Sequence, residues 1–288
     1  MPRSIPLLAI MLVTLPAFVL AESPASRPEH QGAKAQASQV ASATSFPDIK
    51  HAAISDTPEE KPWSVTVGLG VGYGSLYEGS ARRKFFPLPI FEATYYNWSL
   101  GFEGLQYRFV NNEKLVVGAG VGYDFGRKED ELPNNRRGLG DVKGGAKASI
   151  FAEYYPIQAL QLNLAAIKSY GDSDSLLITA GAASEFPLYG KNLTGNIGIG
   201  MTWANDDHMR SYYSVSAQQS ARSGLRRFNA ESGIKSVNLS AGVTYLLSER
   251  WAFNLNGGID FLQGDAADSP IVEGDTQFSA VSTITYTF

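Results

Sequence analysis

The chain ends on the stretch TQFSAVSTITYTF, residues 276–288. One face of this stretch carries Phe278, Ala280, Ser282, Ile284, Tyr286 and Phe288, and the other carries Gln277, Ser279, Val281, Thr283, Thr285 and Thr287. Strict alternation of an apolar and a hydroxyl-rich face predicts a β-strand. A soluble sheet rarely leaves such an edge open, because open edges aggregate. In a closed barrel the last strand pairs with the first, so the stretch favours a barrel in lipid.

The same alternation runs through residues 63–288. Trp63, Val67, Leu69 and Tyr73 share one face of a first strand whose other face is glycine-rich. Further strands are predicted at residues 91–95, 98–102, 115–125, 146–154, 160–166, 176–182, 197–203, 213–217 (the weakest), 237–245 and 251–261. With the final stretch they make an all-β, antiparallel transmembrane barrel of about 12 strands, the even number that bacterial barrels have.

Composition agrees with a wall that faces lipid. The chain has 29 Gly, 14 Tyr and 15 Phe, and only 18% of its residues are charged. Aromatic residues recur near the strand ends, as in membrane-interface girdles. Charges on the opposite faces, such as Glu103 and Lys147, would meet water or each other inside the barrel. A soluble sandwich is the alternative, and the aromatic pattern disfavours it.

Cysteine count and net charge exclude several classes of protein. The chain has 0 Cys, which excludes a disulfide framework and thiol chemistry. Its formal net charge of -4 argues against a nucleic-acid partner.

The first residues carry a targeting signal. Arg3 precedes a short apolar run, and a small-residue site predicts cleavage between Ala21 and Glu22, so residues 1–21 are a signal peptide. The run is too short for a retained membrane anchor. Residues 22–62 are rich in Ala, Ser and Pro without apolar periodicity, which predicts a disordered periplasmic leader.

Loop length assigns the connections to the two barrel ends. The long connections 75–84, 220–232 and 263–275 are expected outside the cell, and short turns at 97, 171–174, 204–208 and 247–250 in the periplasm. Segment 126–142 is long yet falls on the periplasmic side of this count. Either the strand count is wrong there, or the segment is a periplasmic contact surface formed by Arg136, Arg137, Gly138, Leu139, Gly140 and Asp141.

Several motifs carry a family resemblance. They are Tyr73-Gly74-Ser75, Pro87-Leu88-Pro89, residues 137–141, residues 219–225 and residues 262–272. Together they resemble the MipA/OmpV family of outer-membrane proteins over residues 63–288. The most specific stretch is the loop with Gly264, Asp265, Asp268, Ser269 and Pro270, a possible interaction site. The leader is not part of the family pattern.

Little in the sequence points to catalysis or to a bound ion. Asp206, Asp207 and His208 are expected in a short turn, and Ser211 would face away from His208, so no triad is predicted. Asp265, Asp268, Glu273 and Asp275 could bind Ca²⁺, but their spacing favours a solvated loop. No catalytic residue, cofactor or metal is predicted. Basic residues 82–84 and 226–227 could pair with lipopolysaccharide phosphates or serve as solubilising charge.

The resemblance implies location and partners. It implies an outer-membrane barrel in contact with membrane lipid and lipopolysaccharide, acting as a scaffold for a lytic murein transglycosylase and a murein synthase. Twelve strands would also suit a narrow pore for small solutes, and other family members are discussed as adhesins. A lipid or peptide hydrolase built around His208 is the least favoured alternative.

Overall fold

The computed structural model describes residues 62–133 and 136–288. The expected signal peptide, the cleavage site between Ala21 and Glu22, and the leader up to residue 61 lie outside the described residues.

Antiparallel strands form most of the described chain. They are β1 Trp63–Ser75, β2 Arg83–Tyr95, β3 Trp98–Gly101, β4 Gly104–Asn111, β5 Leu115–Arg127, β6 Val142–Ile157, β7 Leu160–Ser169, β8 Leu176–Tyr189, β9 Leu193–Ala204, β10 Gly233–Leu246, β11 Trp251–Leu262 and β12 Thr276–Thr287. The helices are a 3-10 turn Glu129–Glu131, α1 Asp206–Tyr213, α2 Ala217–Ser223 and α3 Gly264–Asp268. None of the helices within the described ranges is both long and apolar enough to cross a membrane.

The sheet closes on itself, because β12 pairs with β1. Val67 lies opposite Tyr286 and Leu69 opposite Ile284. The backbone N–H of Phe288 donates to the carbonyl of Val65 at 3.0 Å. The first and last strands therefore satisfy each other's edge groups, which lipid could not do. This confirms the predicted closed barrel of twelve strands.

The two faces of the wall differ as the alternation predicts. Leu69, Phe85 and Ile150 are 70%, 72% and 63% exposed on the outer face. Inside, polar side chains bond across strands, as between Thr244 and Asn254 at 2.9 Å. The Lys147 ammonium pairs with the Glu103 carboxylate at 2.6 Å. The outside is thus apolar where it would touch lipid, and polar side chains inside the barrel pair with one another across strands.

The strand total agrees with the sequence prediction because two errors cancel. The prediction missed β4, which follows the four-residue β3 through a tight turn at Gly104, where φ is +108°. It also placed a weak strand at residues 213–217, where the structure has the end of α1 and the start of α2. A strand as short as β3 leaves too little pattern to separate it from its neighbour.

Because the sequence prediction missed β4, it assigned three connections to the wrong end of the barrel. Segments 126–142, 171–174 and 204–208 connect strands at the same barrel end as the long loop 263–275. Trp63 and Phe288 lie at the other end, with the short turns. Placing these three segments with the short turns was wrong. The long segment 126–142 is no exception to the loop-length rule.

Closure of β12 on β1 predicts a heat-modifiable barrel. In detergent, unheated protein should migrate faster on a gel than boiled protein, because the closed sheet resists unfolding. Ile284→Pro should abolish the fast band, since proline removes a ladder donor in a paired strand. Ile284→Val should retain it. A fast band that survives Ile284→Pro would contradict closure through this strand pair.

Candidate functional site

Four connections form a cap across one mouth of the barrel. We define the cap as the described residues of these connections, 76–82, 128–133 with 136–141, 205–232 and 263–275. Arg127, at the end of β5, donates from Nη1 to the carbonyl of Tyr212 in α1 at 3.0 Å. The Arg127 guanidinium also lies 5.7 Å from the centre of the Tyr212 ring. The segment that follows β9 therefore reaches across the mouth to β5.

The cap has its own apolar core, in two clusters. One cluster contains Ala204, Met209, Tyr213, Ala230, Leu262 and Ala266. The other contains Tyr77, Leu132, Leu139, Val215 and Ile271. The first cluster joins the 205–232 and 263–275 connections to the ends of β9 and β11, and the second joins all four connections. Burial of these side chains stabilises the loops as one packed unit.

Local capping explains the two longer helices of the cap. The Asn205 side chain accepts from the backbone N–H of His208 at 3.1 Å and begins α1. Ser216 and Gln219 form a reciprocal capping box at the start of α2, with hydrogen bonds of 3.3 and 2.9 Å. Gly224 ends α2 with φ at +75°, a conformation that glycine adopts without strain. His208 thus lies in a helix, and the sequence prediction of a turn there was wrong.

An ion pair joins the cap to the barrel wall. Lys235 Nζ at the start of β10 lies 2.5 Å from Glu78 Oε1 in the β1–β2 connection. Their side chains are only 11% and 28% exposed. Burial alone would raise the pKa of the Glu78 carboxyl, but the ammonium of Lys235 outweighs this effect and holds the pKa below its ordinary value. Glu78 is therefore ionised at neutral pH.

His208 is buried beside this pair. Its Nδ1 lies 2.7 Å from the Ser175 hydroxyl, and its ring stacks on Tyr212 with centroids 4.6 Å apart. Burial, reinforced by the charge of Lys235, lowers the pKa of His208 to about 3. Within the described ranges, Nε2 of His208 has no hydrogen-bond partner. The imidazole is neutral at physiological pH.

Ser175 and His208 together have the residue types of a nucleophile and a base. However, Ser175 is 2% exposed and His208 is 6% exposed, so neither reaches solvent or a substrate. No carboxylate in the described part of the chain hydrogen-bonds to the imidazole and orients it. This geometry fixes α1 onto the β7–β8 connection, and it lacks the converging groups that nucleophilic catalysis needs.

The family-motif loop is part of the cap's internal framework. Gly264, Asp265 and Asp268 lie in α3, and Ser269 and Pro270 follow it. The Ser269 hydroxyl donates to the carbonyl of Tyr213 at 2.5 Å, and Asp265 accepts from the backbone N–H of Glu231 at 2.8 Å. The carbonyl of Asp268 accepts from Arg226 at 2.7 Å. No cluster of three or more metal-ligating side chains occurs in residues 62–133 and 136–288.

The predicted contact segment is folded around Glu129. The Glu129 carboxylate accepts from the backbone N–H groups of Gly138 and Gly140. These hydrogen bonds hold the pKa of Glu129 below its ordinary value. Leu139 is buried in the second apolar cluster, and Asp141 accepts from the backbone of Glu129 at 2.8 Å.

The arginines of this segment differ in exposure. Arg136 Nε donates to the carbonyl of Ile271 at 3.3 Å, which ties the segment to the family-motif loop. Arg137 is exposed. Most of the segment therefore builds the cap, and Arg137 and Asp141 are the members that it presents to solvent.

Sequence reasoning missed Glu78, Lys235 and Ser175, and it misplaced His208. Glu78 and Lys235 are 157 positions apart, so only the closed barrel brings them together. A local signal did exist for α2, because Ser216 followed three residues later by Gln219 is a capping box.

Comparison with known proteins confirms the family resemblance. The family model described as "MltA-interacting protein MipA" matches residues 67–288. Proteins named MltA-interacting protein from Escherichia coli (strain K12) and Shigella flexneri are each 27% identical over 229 residues, covering 77% of this chain and 90% of theirs. The NanC porin structure aligns at 9% identity and a TM-score of 0.41, over 76% of this chain and 98% of that one. A bacterial polysaccharide outer membrane secretin aligns at 8% identity and a TM-score of 0.45, over 78% and 98%. Because the family match extends from β1 to the last residue, the chain belongs to the MipA family.

Proposed function

We propose that this chain is a non-enzymatic interaction protein of the outer membrane that binds a lytic murein transglycosylase of the MltA type. The observation that carries the proposal is the family match over residues 67–288, together with relatives named MltA-interacting protein. The buried positions of Ser175 and His208 support a role without catalysis. Joining the transglycosylase to a murein synthase is the scaffold form of this proposal.

The short-turn end of the barrel is the better candidate for the contact. In outer-membrane barrels the short turns face the periplasm, where murein enzymes act. Tyr96 and Tyr189 lie at this end and are 68% and 82% exposed. Exposed tyrosines are favoured at protein interfaces. Residues 136–141 lie at the opposite end, which argues against them as the periplasmic contact.

Replacing both turn tyrosines should weaken capture of the transglycosylase. We expect the purified barrel in detergent to retain the transglycosylase. Tyr96→Asn with Tyr189→Ser should reduce its recovery about 30-fold, the effect of losing one hot spot of about 2 kcal/mol. Asn is chosen at 96 because φ there is +50°. Arg137→Ser, at the cap end, is the matched control and should leave recovery unchanged. A quantitative pull-down measures all three.

The same experiment has clear contrary results. Loss of recovery in Arg137→Ser alone would move the contact to the cap. Equal recovery from every variant would exclude the turn tyrosines as the contact. A wild-type barrel that retains no transglycosylase would overturn the proposal itself, and one that retains the transglycosylase but no murein synthase would overturn the scaffold form.

The structure gives less support to the alternative functions. The cap crosses the mouth from β9 to β5, which disfavours an open pore. The hydrolase alternative depends on His208, which is buried and neutral. Both observations leave the interaction role as the better-supported function.

A further inference from the structure

The barrel wall has a gap between β2 and β5. β1 pairs with β2 along its whole length, from Tyr95 to Arg83. On the other side β3 pairs only with residues 93–95 of β2, and β4 pairs with β5 only as far as Val121. The β3–β4 hairpin also covers residues 91–92 and Gly122. Residues 83–90 of β2 and 123–127 of β5 therefore border an opening that no strand of the described chain fills.

Two prolines lie on the β2 edge of this gap. The backbone N–H of Tyr96 points to β1, since it donates to the carbonyl of Pro62 at 2.8 Å. Successive N–H groups of a strand point to opposite edges, so the nitrogens of Pro87 and Pro89 face the gap. Proline has no N–H to donate. The β2 edge therefore cannot form a complete ladder of backbone hydrogen bonds, which disfavours filling of the gap by a strand from another chain.

The interior wall beside the gap is apolar. Phe86, Leu88 and Ile90 lie opposite Gly72, Gly70 and Gly68 of β1, on the inner face. Phe86 is buried and packs on Leu88 and on Val281 of β12. The interior of β9–β11 is instead lined with asparagine and threonine, as at Asn196 and Asn256. An apolar inner surface next to an opening towards lipid suits a hydrocarbon chain better than water.

The borders of the gap are held by polar contacts. At the border of the gap nearer the short-turn end, the Glu103–Lys147 pair fixes the β3–β4 turn to β6. At the border nearer the cap, Glu131 lies close enough to Lys84 for their charges to interact. Arg82 and Lys84 are exposed at this border. Two cations beside an apolar surface match a lipid that carries an anionic phosphate headgroup.

We infer that this gap is a lateral portal for an anionic phospholipid. One acyl chain passes between β2 and β5 and packs against Leu88 and Ile90 inside the barrel, while the headgroup phosphate pairs with Arg82 and Lys84. The inference does not depend on the proposed function, because it concerns a different surface and a different ligand.

Single cysteines can test lipid access, since the chain has 0 Cys. Leu88→Cys and Asn254→Cys would carry a bimane label on the inner face. They are matched, because Leu88 lies opposite Gly70, Gly70 opposite Thr283, and Thr283 opposite Asn254 in one row of the sheet. Leu69→Cys, on the outer face, is the positive control. Proteins are reconstituted in phosphatidylcholine vesicles with nitroxide-labelled phosphatidylglycerol as quencher.

We expect the label at 88 to be quenched nearly as strongly as at 69, and several-fold more than at 254. Equal, weak quenching at 88 and 254 would overturn the portal. Adding Arg82→Gln and Lys84→Gln should reduce quenching at 88 but not at 69. Undiminished quenching at 88 in that variant, or equal quenching by nitroxide-labelled phosphatidylcholine, would overturn the headgroup site. The fast-migrating gel band confirms that each variant is folded.

Discussion

Replacing Lys235 with methionine is expected to lower the stability of the folded protein by about 3 kcal/mol, the lower end of the range for a broken buried ion pair. The Glu78 carboxyl would lose the ammonium that lowers its pKa and would be left unpaired in a position that is only 28% exposed. Asp260 interacts electrostatically with both members of the pair, so loss of the ammonium also removes the attraction that offsets the repulsion between Asp260 and Glu78. Urea unfolding in lipid vesicles, followed by the emission of the 4 Trp residues, measures the change.

Two further variants identify the ion pair as the cause. Adding Glu78→Gln to Lys235→Met should recover most of the lost stability, because the orphaned charge is gone. Arg210→Met breaks an exposed pair with Asp207 in α1 and should change stability by about 0.5 kcal/mol or less. If Lys235→Met behaves like Arg210→Met, the pair does not hold the cap to the wall.

The periodicity of the strands was enough to predict the barrel. Leu69 and Ile199, for example, each lie between two glycines, and they face outwards in the structure. Period-two alternation is a local property, so it can be read without knowing which strands are neighbours. Closure of the barrel was predicted because an apolar-faced strand such as residues 276–288 needs another strand to pair its backbone hydrogen bonds.

The order of strands around residues 98–111 could not be read in the same way. β3 has 4 residues, and its hairpin with β4 turns at Gly101–Gly104. Leu105, Tyr107 and Phe109 do alternate, but a strand that follows so short a partner looks like its continuation. The shortness of β3 is the feature that creates the gap between β2 and β5. The place where pattern reasoning failed is also where the wall is unusual.

The candidate site was harder to predict than the fold. The family-motif loop was recognised, but its side chains turn inwards, with Ser269 bonded to the backbone of Tyr213. Glu78, Lys235 and His208 come from three distant segments that meet only when the sheet closes. Nothing in the local sequence marks such a meeting. The helix caps at Asn205 and Ser216 are local signals, but the sequence prediction did not use them.

Acidification is expected to loosen the cap through His208. The pKa of His208 is about 3 in the folded protein, against 6.5 for an unperturbed histidine. Between these two pH values His208 is protonated in the open state but neutral in the folded state. The stability of the folded protein therefore falls as pH drops from 6.5 towards 3. At about 1.4 kcal/mol per pH unit, the loss reaches a few kcal/mol by pH 4. Burial and Lys235 disfavour the imidazolium, and Glu78 opposes them only in part.

A spin label on α2 can report this opening without interference from other thiols. Gln218 is exposed, so a nitroxide on Gln218→Cys should become more mobile between pH 6.5 and pH 4.5. His208→Asn keeps a hydrogen-bonding group for Ser175 but does not titrate. In that variant the nitroxide at position 218 should therefore remain immobile over the same pH range. Both proteins should loosen at lower pH, where Glu78 and Glu129 gain protons, since both have lowered pKa values in the fold. An unchanged profile in His208→Asn would assign the acid sensitivity to groups other than His208.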